Sequence, residues 1–286
     1  MMSPTEKIVN YYHETASDYR LLWTGPRDLA IHFGYYEEGN ESHEEAALKM
    51  NEFLAKRAQI GRDDRVLDAG CGYGGSAFWL AENVGCAVQG VTLAPFQAKK
   101  AGTEAKKRNL QDKVRVDCLN FLSLPYPDES FDVVWGIESV LHAENKADFI
   151  GEASRLLKKG GRLVLAEAVL REDPPLNDKE IHDVRTWLDG WAVPNLLTLG
   201  AYRRILEQEG FKGVEILDIT LRVEPSLKRL KQITWVTLPL ARALYALRLI
   251  SKVRLNSTYS ASLQYDLMKK GLWRYVIVTA QAFMVQ

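Results

Sequence analysis

The chain has 286 residues, 47% hydrophobic and 26% charged, and its 37 basic and 37 acidic residues leave a formal net charge of zero. That composition describes an ordinary globule, long enough for one α/β domain with additions, and the charge balance argues against a nucleic-acid partner. The three cysteines, Cys71, Cys86 and Cys118, read as reduced thiols without zinc-ligand spacing, so no metal is expected.

Residues 1–60 read as an N-terminal helical cap. A helix is predicted over 4–22, Trp23-Thr24-Gly25-Pro26 follows as a turn, and His32 to Tyr36 form an aromatic loop. Ser42 and Glu45 make a capping box for a second helix over 42–58. From Arg65 onward strands and helices alternate, which predicts an α/β fold: a seven-stranded, mostly parallel sheet with helices on both faces. The strands are expected at 65–69, 86–91, 114–118, 131–136, 162–169, 213–220 and 273–281. Lys159-Gly160-Gly161 is expected to cap a helix before the fifth strand, and 199–211 to form the sixth helix.

The core then spans 61–221, a helical insertion occupies 222–271, and 272–286 returns the last strand. Up to Leu255 the insertion holds eight basic residues against one acid, Glu224, with apolar residues interleaved. Three readings are open for it: a lid whose apolar face packs on the core, a cover over a lipophilic ligand, or a peripheral membrane contact through 233–255. Residues 1–10 have no apolar signal core, and no apolar run reaches the ~18 residues of a spanning helix, so a cytoplasmic chain is expected.

The most informative stretch is Asp68-Ala69-Gly70-Cys71-Gly72-Tyr73-Gly74-Gly75, directly after Arg65-Val66-Leu67. It reads as a buried strand running into a glycine turn and then a helix. Glycine lets backbone turn sharply beside a ligand, and the helix start offers unpaired N–H groups to it. Gly70, Gly72 and Gly75 also satisfy the dinucleotide fingerprint, but the second strand runs into Thr92-Leu93-Ala94-Pro95 without the ribose-binding acid that NAD requires. Asp68, at the strand end, suits an amine-bearing ligand instead.

In order and spacing, VLDAGCGYGGS, GVTLAPFQ, LPYPDESFDVVWGIESVLHAENK and LLKKGGRLVLAE resemble the Rossmann-like, class I S-adenosylmethionine-dependent methyltransferases. Among these the chain looks most like the tocopherol, sterol and plant-alkaloid enzymes. The resemblance implies S-adenosylmethionine as cofactor, its amino acid part held by Asp68 and by Gly70, Cys71, Gly72 and Gly74. It implies that Thr92, Leu93 and Gln97 hold the ribose. Relatives carry an Asp for the adenine amino group where this chain has Asn120, with Phe121 beside it for the ring face. Gly136 would let the chain pass close to the methionine part. Tyr19, Trp23 and His32 resemble the family's aromatic lid, and Tyr35 continues it toward the acceptor.

Methyl transfer from a sulfonium asks the protein for alignment, water exclusion and, with a protonated acceptor, a base. His142 is the candidate base because imidazole titrates near neutral pH. Glu138 is the candidate for orienting the acceptor or balancing positive charge. His182, Trp187, Trp191, Trp235 and Tyr245 are candidate acceptor-side residues, the aromatic ones offering faces to a lipophilic ring or a carbocation. The implied function is methylation of a prenylquinol, terpenoid or alkaloid-like molecule. The alternatives are carbon methylation of an isoprenoid double bond, with or without cyclisation, and a cofactor-binding protein without turnover.

Overall fold

The computed structural model describes residues 2–25 and 29–283; Pro26, at the end of the expected turn, lies outside them. The chain begins with α1 (Pro4–Leu22) and α2 (His43–Arg57), each opened by a capping box, Ser3 with Glu6 and Ser42 with Glu45. In each box the serine hydroxyl takes a helical N–H and the glutamate takes the serine N–H, so two donors left over by the helix start are satisfied.

The core follows as β1 (Arg65–Ala69), α3 (Gly75–Asn83), β2 (Ala87–Thr92), α4 (Pro95–Lys107), β3 (Val114–Cys118) and β4 (Phe131–Ile137). A single 3-10 turn (Val140–His142) leads to α5 (Lys146–Leu156), β5 (Leu157–Leu170), α6 (Asp178–Gly190), α7 (Leu199–Gln208) and β6 (Phe211–Asp218). A two-helix insertion, α8 (Thr220–Ala246) and α9 (Lys252–Lys269), precedes β7 (Trp273–Ala282).

The strands lie in the order β3-β2-β1-β4-β5-β7-β6. β1 to β5 pair in parallel, and β7 runs antiparallel to both β5 and β6. Successive residues of a strand feed opposite faces: Val66 and Val133 pack with Trp135 and Tyr275, whereas Leu67 and Val134 pack with Phe149 and Leu163. Burial on both faces explains why the central strands are apolar throughout rather than alternating. The strand order reverses between β1 and β4, the crevice where open α/β sheets take their ligands.

Several expected boundaries move, and the helix expected over 199–211 stops at Gln208 because Phe211 already opens β6. α5 stops at Leu156, with Leu157 already extended, so Lys159-Gly160-Gly161 is not a helix cap. It lies within β5, where the register against β4 jumps from Phe131–Leu157 to Val133–Arg162, and Gly160 takes a φ of +77° inside that irregularity. β6 ends at Asp218 because the Asp218 carboxylate accepts from the N–H and hydroxyl of Thr220, which turns the chain into α8.

The insertion is fastened to both ends of the molecule. Gly190 at the end of α6 meets α9 so closely that a Cβ there would sit 2.0 Å from Ser260 Oγ. Arg254 on α9 pairs with Asp18 on α1, its Nε 3.2 Å from Oδ2. Lys269 and Tyr265 both donate to Glu224 on α8, at 3.0 and 3.2 Å. Among the described residues no helix is long and apolar enough to cross a membrane.

Candidate active site

The strand ends and the roof made by α1, α8 and α9 enclose a cavity of about 180 Å³. Its floor is the glycine turn after β1. Gly70 (φ +88°) lies where a Cβ would stand 2.3 Å from that of Ser139, so no other residue fits between β1 and β4 at this point. The Gly70 and Cys71 N–H groups both donate to the Val91 carbonyl at 2.9 Å, which pins the turn to β2. Asp68 faces the cavity with its Oδ2 buried and unpartnered. Burial without a cation beside it raises its carboxyl to about pKa 7.

At the end of β2, Thr92 donates its hydroxyl to Gln97 Oε1 at 2.8 Å, and Thr92 Oγ1 accepts from Ala94 N. With its oxygen occupied, Gln97 has its amide N–H groups to offer. Thr92, Leu93, Gln97 and Phe121 all line the cavity.

The turn after β4 carries the titratable groups. Glu138 takes a left-handed φ of +50°. Its Oε1 accepts from Phe33 N and from the Tyr275 hydroxyl, both at 2.8 Å, and burial raises its carboxyl to about 7. His142 Nδ1 lies 3.1 Å from the Ala192 carbonyl. A carbonyl only accepts, so Nδ1 carries the proton, and Nε2 accepts from the Tyr12 hydroxyl at 2.9 Å. Burial lowers this imidazole to about 4 and keeps it neutral. Lys146, below the turn, donates to the carbonyls of Leu141, Ala143 and Asn195 at 2.8–2.9 Å, which holds the His142 backbone in place. Glu167 accepts from Val140 N at 3.0 Å, and burial raises it to about 8.

Tyr19, Trp23 and His32 line the cavity with Asp68, Gly70, Cys71, Gly72, Glu138, His142 and Trp191. Several expected residues lie elsewhere. Gly74 sits under α3, where a Cβ would meet Phe78 at 3.0 Å, and Gly136 is glycine because Leu165 of β5 stands 3.0 Å from its Cβ position; neither lines the cavity. Asn120 Oδ1 accepts from Leu122 N at 3.0 Å, so its carboxamide oxygen folds its own loop. Tyr35 stacks on Phe53 at 4.4 Å, outside the cavity, and His182 is exposed on α6.

Trp187 packs on Trp273 behind Glu138, in the wall of a separate void of about 20 Å³. Trp235 is 68% and Tyr245 40% exposed. The cause is helical phase: Leu230, Ile233, Thr234 and Thr237 of α8 face the cavity, a spacing of three and four that turns Trp235 outward. Tyr12 was not foreseen, yet Ile8, Tyr11, Tyr12, Thr15 and Tyr19 of α1 all line the cavity, and their spacing is that of one helical face.

Residues 67–165 match the family model described as a methyltransferase domain. The 27-O-demethylrifamycin SV methyltransferase of Amycolatopsis mediterranei is 32% identical over 68% of this chain and 71% of its own length. A probable chloroplastic tocopherol O-methyltransferase of Oryza sativa subsp. japonica is 27% identical over 96% of this chain and 78% of its own. Among solved structures, the cyclase SpnF superposes with a TM-score of 0.80 at 23% identity, covering 99% of this chain and 97% of SpnF.

Proposed function

The chain belongs to the class I S-adenosylmethionine-dependent methyltransferases, and on that premise we propose that its acceptor is a lipophilic small molecule presented to the Tyr12–His142 pair. One observation carries the reading: a single cavity is lined by Asp68, Thr92 and Gln97 at one end and by Tyr12, Glu138 and His142 at the other. The remaining wall is mainly apolar and aromatic, including Ile8, Leu22, Trp191, Leu230 and Ile233. Relatives named for 27-O-demethylrifamycin SV and for tocopherol support an acceptor of that character.

The residues fit the cofactor. Asp68 has a buried, unpartnered carboxylate oxygen where an ammonium group would satisfy it, and Gln97, fixed by Thr92, has donors for sugar hydroxyls. Phe121 supplies an apolar face for the base. Bound there, S-adenosylmethionine supplies a methyl group already activated by its sulfonium.

The protein supplies position, dryness and a route for a proton. An acceptor O–H or N–H beside Tyr12 loses its proton to the phenol oxygen while the phenol passes its own to His142 Nε2. His142, neutral through burial, is free to take it. Glu138, when ionised, balances the positive charge that arrives with the methyl group. The roof of α1, α8 and α9 keeps water away from these groups.

A second reading, methylation at the carbon of an isoprenoid double bond, is favoured by the tyrosine faces of Tyr11, Tyr12 and Tyr19 along the wall, which suit a transient cation. Incubation with labelled methyl donor and a panel of prenylquinols, macrocyclic alcohols, alkaloids and isoprenoids tests both readings, with the methylated atom located by mass spectrometry. Transfer to a lipophilic member is expected. Transfer confined to small polar amines would overturn the acceptor class, and cofactor binding without transfer to any would leave a protein that only binds the nucleoside.

A further inference from the structure

The far end of the α8–α9 hairpin carries an unusual surface. Trp235, Val236, Leu240, Tyr245, Leu247 and Leu249 are all exposed, at 40–73%. No acidic residue occurs between Glu224 and Asp266. Of the basic residues in that interval, Lys231 pairs with Asp266 and Arg254 with Asp18. Arg242, Arg248 and Lys252 are exposed and have no ion-pair partner among the described residues. Arg248 (φ +58°) turns the chain between the helices, so Leu247, Arg248 and Leu249 stand together at the tip.

We propose that this tip docks on an anionic lipid surface, with Trp235, Leu240, Leu247 and Leu249 entering the boundary between headgroups and acyl chains while Arg242, Arg248 and Lys252 meet the phosphates. An apolar patch fringed by unpaired cations matches that partner in both respects. A second copy of the chain matches it in one only, because face-to-face pairing would oppose like charges. Crossing the bilayer is not the mode, since no helix among the described residues is apolar enough over its length.

The opposite face of α8 gives docking a use. Leu230, Ile233, Thr234 and Thr237 look into the cavity from the helix that carries Trp235 outward. The docked helix therefore stands between bilayer and cavity, and a molecule dissolved in lipid would reach the site without crossing bulk water. The proposal rests on the surface alone and goes beyond the acceptor reading.

Co-sedimentation with phosphatidylcholine vesicles, with and without phosphatidylglycerol, is the test. The protein is expected to partition about tenfold or more in favour of the anionic vesicles, and less so as salt rises. Replacing Arg242, Arg248 and Lys252 together by Ser should bring binding down to the zwitterionic level. Replacing Leu247 and Leu249 by Ser should weaken binding to both. Equal or absent sedimentation with the two vesicle types would overturn the proposal, as would light scattering that shows a dimer dissolved by the same substitutions. Titration with S-adenosylhomocysteine, expected to be unchanged in these variants, verifies folding and tests the cofactor site separately.

Discussion

At the scale of single residues, Asp68 makes the sharpest prediction. A carboxyl held near pKa 7 by burial is ionised at pH 8 and mostly protonated at pH 6, and only the anion attracts an ammonium group. Affinity for S-adenosylhomocysteine should therefore fall about tenfold between those pH values, as calorimetry would measure. Asp68→Asn should bind weakly at both and lose that dependence. His142→Ala and Tyr12→Phe should each lower kcat by roughly 10²–10⁴-fold without changing S-adenosylhomocysteine affinity; unaltered turnover in both would remove the pair from the mechanism. That Asp68, Thr92 and Gln97 share one cavity was legible because strand ends fix where a short motif must point. The place of Tyr12 was not, because it meets His142 from a helix more than a hundred residues away in sequence, and nothing local to His142 marks it.

Between elements, the closest approach is that of α6 and α9. Gly190→Ala would drive a methyl group into Ser260 and to within 2.7 Å of the Asn256 carbonyl, so a loss of about 2 kcal/mol or more of stability is expected by urea denaturation. Gly102→Ala, with open space at its Cβ position, is the matched control and should cost nothing. All seven strands were legible, since apolar runs such as Val66-Leu67 and Val133-Val134 alternate with helical stretches, but β5 begins five residues earlier and β6 two residues earlier than expected. The insertion was legible as helical but not in its phase. Both faces of α8 carry large apolar residues, so sequence pattern alone put Trp235 on the wrong side, while Tyr245, in phase with the buried Ala241, is exposed because it lies at the end of the helix. Glycine answers to any close neighbour, and at Gly136 the structure shows one that the sequence does not, Leu165 of β5, 3.0 Å from its Cβ position.

Across the whole molecule, two sets of buried groups bound the pH range of stability. Asp68, Glu138 and Glu167 have folded values of about 7, 7 and 8, raised above their unfolded ones, so their contribution is lost as pH rises through that range. His32, His43 and His142 lie at about 4, 3 and 4, depressed by burial, so the unfolded chain takes up their protons first as pH falls below about 6.5. Between roughly pH 5 and 6.5 the folded chain's three extra carboxyl protons match the unfolded chain's three extra imidazole protons, and stability should be flat. From pH 7 to about 8 it should decline by roughly 1 kcal/mol, beyond which Lys146, lowered by burial to about 8, works the other way, and it should decline again below about 4. Denaturant titrations of cofactor-free protein would show the plateau, and a maximum displaced to pH 8 would refute the assignment. Finally, the pairing of Asp18 with Arg254 joins a helix near the beginning of the chain to one near its end, at the wall of the cavity that Asp18 lines. That clasp therefore holds two of the three roof helices together by charge, an attraction that added salt weakens.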